Sequence, residues 1–506
     1  MRKLTLISLV LATATQHLIA QPSPTPAPDT SLITKPDRSV TKHAIKVDGK
    51  TINYTATAGT LLLKNDKDES VALFGYTAYV KDGEADASRR PLTFSYNGGP
   101  GSSSIWLHMG AVGPRRVVLN DPSPNPGPPH KLEDNEHSIL DVSDLVMVDP
   151  VGTGLSHAIG KAGNKDFWGV DQDIKSMSQF ITQYVKDNDR WNSPKYLLGE
   201  SYGTTRSAGI ASYLHDNMGI QLNGVVLVSV ALDIHQLTFQ DDISHVVYIP
   251  TYAATAWFHN KLANKPADLE AFLKEVRAFS EGEYATALQK GDALSDADKA
   301  QVAARLSGYT GLSKDYWLKA NLRVPEPAFT QELLRDEHQT VGRLDARYKG
   351  INQDLLSEFS NDDPQSTQIS PPYIAEFMNY YYGELKVNKS YNYHVSAYSA
   401  EGFKWDWRHA ANGGEGFPAM PNTSVDLANV MSKNPNLKVL VLNGYYDLAT
   451  PFFGTEYTFA HMGLEKKIRS NVTMKYYPAG HMMYIHTPSL AAFKKDVAAF
   501  ILDTSK

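Results

Sequence analysis

Residues 195–214 read KYLLGESYGTTRSAGIASYL. An apolar run is followed at once by a serine between two glycines and then by a stretch compatible with a helix. Few local structures accept that order. A strand that breaks through one sharp, strained turn into a helix does, and it projects Ser201 from the C-terminal edge of a sheet. A bare Gly-x-Ser-x-Gly arises by chance in a chain of 506 residues, so the flanking strand and helix signals carry the weight.

The rest of the chain is consistent with a layered sheet. Short runs rich in Val, Leu and aromatics recur at residues 91–96, 144–148, 224–230, 437–442 and 472–477, and an amphipathic stretch covers 171–185. Buried strands alternating with helices imply a largely parallel sheet. Residues 40–80 alternate apolar and polar around Asp48-Gly49, as an antiparallel hairpin does. After about Leu237 the pattern changes. Residues 253–346 read as helical, with Pro266 near one helix start and Ser295-Asp296-Ala297-Asp298 resembling a capping box before another. The expected division is a signal peptide at 1–20, a Pro-rich linker at 21–38, core at 39–236, a mainly helical cap insertion at 237–400 and the rest of the core at 401–506.

Arg2 and Lys3, the apolar stretch 4–14 and Ala20 match a secretory signal too short to span a bilayer. Leu18 fits the cleavage pattern imperfectly, and Ala12-Thr13-Ala14 is a second candidate site. Gln21 to Asp29, QPSPTPAPD, reads as an extended spacer. Removing residues 1–20 moves the formal charge from −6 to −8, leaving no basic excess for nucleic acid and, after cleavage, no membrane anchor. The chain has no cysteine. Disulfides, thiolate metal sites and a cysteine nucleophile are thereby excluded, and export without disulfides points to a bacterial periplasm or exterior.

A serine needs a base, and the base needs an orienting acid. In the order nucleophile, acid, base, each beyond a strand end, LKVLVLNGYYDLATP supplies Asp447 and VTMKYYPAGHMMYIH supplies His481. Glu456 and His486 are the rivals, each further past its strand. The stretch YNGGPGSSS, Tyr96 to Ser104, then acquires a role. A Gly-rich loop after an earlier strand supplies one oxyanion amide, and the residue after the nucleophile, Tyr202, supplies the other. Its serines fit turn and helix-start positions better than nucleophilic ones.

Together YNGGPGSSS, DPVGTGLS, GESYG, NGYYDLATP and AGHMMY, in that order, resemble the serine carboxypeptidase family of α/β-hydrolases over roughly residues 90–235 and 435–490. The resemblance implies an α/β-hydrolase fold with a mainly parallel central sheet and a helical cap insertion, no cofactor or metal, and release of C-terminal amino acids from peptides. It assigns Ser201, Asp447 and His481 to the triad and the amides of Gly99 and Tyr202 to the oxyanion hole. Asn97, the Gly98 amide and Glu200 would hold the substrate's terminal carboxylate. Two carboxyl groups meet only if one is protonated, hence the family's tendency to work in acid. The chain departs from the pattern at Ala111, where a second glutamate is usual before Gly-Pro. Arg115 or Arg116 is a candidate replacement contact. Tyr96 stands where Trp is usual, and Ser102 where the family has a cysteine.

An esterase or acyltransferase on the same scaffold is the main rival, because fold and triad do not fix the acyl acceptor. A cell-wall enzyme would use Ser39-Val40-Thr41-Lys42, an S-x-x-K match, but no Lys-Thr-Gly accompanies it. A peptide-binding protein without catalysis is the third reading. Neither His-Glu-x-x-His nor a Walker-type phosphate loop occurs. The aromatics from Tyr380 to Trp407 would either line a substrate pocket or pack the insertion onto the core.

Overall fold

The computed structural model describes residues 33–360, 362–411 and 420–505. The signal-like segment and the spacer from Gln21 to Asp29 lie outside the described residues. The central sheet is built on nine strands: β1 (Arg38–Val47), β2 (Lys50–Lys64), β3 (Ser70–Lys81), β4 (Leu92–Tyr96), β5 (Asp144–Val148), β6 (Lys195–Ser201), β7 (Gly224–Val230), β8 (Lys438–Gly444) and β9 (Val472–Tyr477). They lie in the order β1-β2-β3-β5-β4-β6-β7-β8-β9, with the short strand His157–Ala158 pairing off β3. The last six strands of that order are mutually parallel, and β1 to β3 join antiparallel. This is the α/β-hydrolase architecture.

The strand sequences explain the arrangement. Every residue of β4, β5 and β7 is buried, as expected of parallel strands covered on both faces. The β1–β2 hairpin turns at Asp48 and Gly49, both with positive φ (48° and 75°), the conformation for which Asp-Gly is suited. Helices α1 (Val170–Asp187), α2 (Tyr202–Met218) and α7 (Ser424–Lys433) cover one face, where Ile174, Phe180, Ile210 and Leu427 meet Leu197, Val225 and Val439. On the other face Phe493, Val497 and Ile501 of the final helix α8 (Thr487–Thr504) meet Tyr196, Val226 and Leu440.

Between β7 and β8 the chain leaves the sheet. Helices α3 (Asp242–Phe258), α4 (Leu269–Phe279) and α5 (Asp296–Thr310) form a third apolar cluster, and α6 (Pro364–Asn379) joins the cluster of the second face, with Tyr373 against Trp106 and Phe377 against His108. Ser295 does cap α5, accepting from the Asp298 amide, and Asp268 caps α4. The expectation of helix throughout 253–346 needs two corrections. The first helix begins eleven residues earlier, at Asp242, and the segment ends in a strand, Gln339–Val341, paired antiparallel with Lys349–Ile351. Helix α3 is buried on all sides from Ser244 to Ala256, so it has no amphipathic period to read. The cluster around these helices includes Tyr445, Tyr446, Leu448 and Phe452, so the insertion packs directly on the loop that carries Asp447. No helix among the described residues is long and apolar enough to cross a membrane.

Candidate active site

β6 ends at Ser201, whose backbone sits at φ 60° and ψ −130°, and α2 begins at the next residue. A non-glycine residue held there costs about 1–3 kcal/mol, so its surroundings must hold it. The hydroxyl of Thr204 donates to the Ser201 carbonyl at 2.7 Å and accepts from the Ala231 amide at 2.8 Å, which ties the turn to the next loop. In the adjacent strand a bulge between Val228 and Val230 puts Ser229 at φ 53°. Its hydroxyl donates to the His481 carbonyl at 2.6 Å.

Asp447 and His481 come from the loops that follow β8 and β9. His481 Nδ1 lies 2.8 Å from Asp447 Oδ2. The carboxylate also accepts from the amides of Ala449 and Thr450, both at 2.9 Å, and from the Thr450 hydroxyl at 2.6 Å. Fully buried, Asp447 is therefore saturated with donors, as a buried charge must be. Burial disfavours the His481 imidazolium. The Asp447 charge and hydrogen bond, with a contribution from Glu200, outweigh it and raise its pKa. The rivals are engaged elsewhere: Glu456 pairs with Arg277, and His486 Nδ1 lies 2.8 Å from the Ser489 hydroxyl at the start of α8.

The Gly-rich loop lies against the elbow. A Cβ on Gly98 would stand 2.5 Å from the Tyr202 amide nitrogen, a clash no side chain avoids, and Gly99 takes φ 110°. The buried guanidinium of Arg206 clamps the two segments. Its Nη1 donates to the Asn97 carbonyl and its Nε to Asp173, each at 2.7 Å, and it lies over the rings of Tyr96 and Tyr202. Tyr96 also exchanges a hydrogen bond with Ser207 of α2 at 2.9 Å, a contact that uses the hydroxyl. The serines of the loop are structural. Ser102 accepts from the Trp106 indole at 2.9 Å, and the amide and hydroxyl of Ser104 both donate to Asp149 at 2.8 Å.

Asn97 Nδ2 donates to Glu200 Oε1 at 3.0 Å, and Asn97 Oδ1 is held by the Leu107 amide at 3.1 Å. Burial raises the Glu200 pKa to about 7. The buried Tyr484 hydroxyl stands beside its carboxyl, although neither Oε2 nor that hydroxyl makes a hydrogen bond of full geometry among the described residues. Ala111 is buried, with its carbonyl accepting from Asn135. Arg115 pairs with Asp134 and Glu384, and Arg116 pairs with Glu133. Neither lines the cavity, so the structure does not bring these arginines to the site. Ser39 and Lys42 lie on β1 at the sheet edge, also away from it.

A cavity of about 880 Å³ joins these groups, its lining including Asn97, Gly99, Glu200, Ser201, Tyr202 and His481. The aromatics from Tyr380 onward divide. Tyr380, Tyr381 and Tyr393 are buried in the core, whereas Tyr398 and Trp407 line the cavity. Trp405 and Trp407 both stand edge-on to Tyr202.

One support was invisible in the motifs. The Leu344 carbonyl accepts from the His481 amide at 2.6 Å, and Asp345 Oδ2 accepts from the Gly480 amide at 3.0 Å. Asp345 is itself fixed by Arg347, which reaches on to Asp121. Replacing Asp345 by alanine leaves Arg347 with one partner in a dry setting. It is expected to lower stability to urea by about 3–5 kcal/mol, measured as a shift in the unfolding midpoint.

The sequence profile described as serine carboxypeptidase matches residues 49–493. Among curated relatives, the pheromone-processing carboxypeptidase KEX1 of Yarrowia lipolytica is 30% identical over 180 residues, 35% of this chain and 26% of that protein. Serine carboxypeptidase-like 33 of Arabidopsis thaliana is 28% identical over 139 residues, 26% of this chain and 27% of that one. These alignments thus span about a quarter of the length of either relative. The crystal structure of KEX1(delta)P, a prohormone-processing carboxypeptidase from Saccharomyces cerevisiae, superposes with a TM-score of 0.54 at 16% identity, covering 89% of this chain and 92% of that one. That likeness is one of fold. With the profile spanning nearly the whole described chain, the protein belongs to the serine carboxypeptidase family.

Proposed function

We propose that this chain is an exported serine carboxypeptidase that releases C-terminal residues from peptides through an acyl-enzyme on Ser201. His481 takes the Ser201 proton as Oγ bonds to the scissile carbonyl carbon. The amides of Gly99 and Tyr202 receive the oxyanion. His481 then gives the proton to the departing amine as the C–N bond breaks. Water repeats the sequence, with His481 as base, and frees the acyl product. Asp447 holds the imidazole in the tautomer that presents Nε2 to Ser201. The export part of the reading comes from the signal-like residues 1–20, and the helical insertion serves in it as a cap over the cavity.

The observation that carries the peptidase reading is the Asn97–Glu200 pair beside Ser201. With its pKa at about 7, Glu200 is a neutral donor in acid, it is held by Asn97, and it lines the same cavity as Ser201. Asn97 and the Gly98 amide complete that contact. As pH rises through about 7, Glu200 ionises and repels the carboxylate.

The test compares an N-blocked dipeptide acid with its amide and its ester over pH ~3–9, the span of carboxyl and imidazole titration. We expect kcat/KM for the free acid to fall about tenfold per pH unit on the alkaline side, and the ester to lack that limb. Glu200→Gln keeps a neutral donor and removes the titration, so its alkaline limb for the free acid should flatten. Equal hydrolysis of acid and ester at every pH would favour the esterase or acyltransferase reading instead. Failure of Ser201 to react with a fluorophosphonate would favour a peptide-binding protein.

A further inference from the structure

Arg343 is the one arginine or lysine among the described residues that line the cavity. Its backbone is fixed to the triad: its carbonyl accepts from the amide of Leu448, next to Asp447, at 3.0 Å, and the following carbonyl accepts from His481. Its side chain is not fixed. The side chain is 53% exposed, and its counter-charge, Glu326, stands at 3.6 Å, too far for a hydrogen bond. Among the described residues it donates no hydrogen bond. The other acid on that wall, Asp363, accepts from the amides of Leu344, Gln365 and Ser366 at the start of α6 and acts on Arg343 only through its charge, with no hydrogen bond between them.

Arg343 is also close to where the scissile bond must lie. A Cβ on Gly99 would stand 2.4 Å from the Tyr398 hydroxyl, and Tyr398 and Arg343 line the same cavity as Ser201. The residue that follows Arg343 holds the His481 amide. A guanidinium anchored by its backbone, loosely paired and turned into a substrate cavity is a receptor for a carboxylate, which it meets with two parallel hydrogen bonds. The terminal carboxylate already has Asn97 and Glu200. The remaining carboxylate of a peptide is an acidic side chain.

Resting on the carboxypeptidase reading, we propose that Arg343 is a specificity-determining residue that selects peptides with an aspartate or glutamate beside the scissile bond. N-blocked dipeptides carrying Glu or Gln on one side of the bond and alanine on the other test it, assayed near pH 6, where a glutamate side chain is ionised and Glu200 is still largely protonated. The wild type should prefer Glu over Gln at one of the two positions by about tenfold or more in kcat/KM. Arg343→Gln should bring that ratio to about one, Arg343→Lys should restore part of it, and Arg343→Glu should favour Lys in its place. A ratio does not depend on how much enzyme folds. A wild-type ratio near one, or one that Arg343→Gln leaves unchanged, overturns the proposal while the peptidase reading stands. Failure to cleave any of the dipeptides overturns both.

Discussion

Ser201→Ala is expected to lower kcat by about six orders of magnitude and Asp447→Asn by about four, with little loss of fold in either. The serine change removes one half-buried oxygen and relieves nothing else, because the elbow is held by Thr204 and not by the serine hydroxyl. The aspartate change is subtler. Asp447 accepts four hydrogen bonds, from two amides, a threonine hydroxyl and His481 Nδ1. Asparagine has one acceptor oxygen and an amide that must face some of those donors. The Ala449 and Thr450 amides both need an acceptor at the Oδ1 place, so the side-chain NH2 takes the Oδ2 place and donates to Nδ1. The proton then moves to Nε2, the atom that must accept from Ser201. The check is kcat on an ester substrate, where the carboxylate site plays no part, together with circular dichroism of the variant. A drop of less than tenfold for Ser201→Ala would remove the serine mechanism.

Glu200 and His481 are electrically linked, which bears on the pH dependence expected of the proposed function. Glu200, when ionised, is one of the charges that raise the His481 pKa. On the proposed function, protonating Glu200 would admit the substrate carboxylate and at the same time withdraw that charge, so the imidazole would stay neutral to a lower pH. In that proposal one proton on Glu200 serves both binding and catalysis, with Ala111 where the resemblance expects a second acid.

What the sequence made legible is what is local. The elbow, the Asp-Gly hairpin and the buried parallel strands each declare themselves within ten or so residues, because strand periodicity and turn chemistry are short-range properties. Asp447 and His481 follow from their place after strands. The supports of the site are not local. Ser229 reaches the His481 carbonyl across 252 residues of chain, and Asp345 reaches the Gly480 amide across 135. Their identities carry no pattern, only an outcome of tertiary packing. Arg343 is hidden for the same reason: it lies in a short irregular segment of the insertion between Val341 and Lys349, where composition gives no period at all. Arg115 and Arg116, nearer in sequence to the Gly-rich loop, drew attention and turn out to be engaged in ion pairs.

Gly98→Ala should cost about 10²–10³ in kcat, the loss seen when an oxyanion donor is removed, with a much smaller effect on stability. The added methyl would stand 2.5 Å from the Tyr202 nitrogen and 2.8 Å from both the Glu200 carbonyl oxygen and the Gly203 nitrogen. All three are backbone atoms, one at the end of β6 and two at the start of α2, so no rotamer change relieves the contact. The Gly-rich loop or the elbow must retreat, and either motion would move apart the Gly99 and Tyr202 amides of the proposed oxyanion hole. Arg206, which clamps the Asn97 carbonyl to the elbow helix, resists the retreat and turns it into misalignment of the amides. Because an oxyanion hole acts on the transition state, the loss should fall on kcat for ester and peptide alike, with KM little changed. A fall confined to free-acid peptides would instead mean that Gly98 serves the Asn97–Glu200 carboxylate contact. Unchanged kcat on both substrates would remove this loop from the oxyanion hole and leave the Tyr202 amide without its partner.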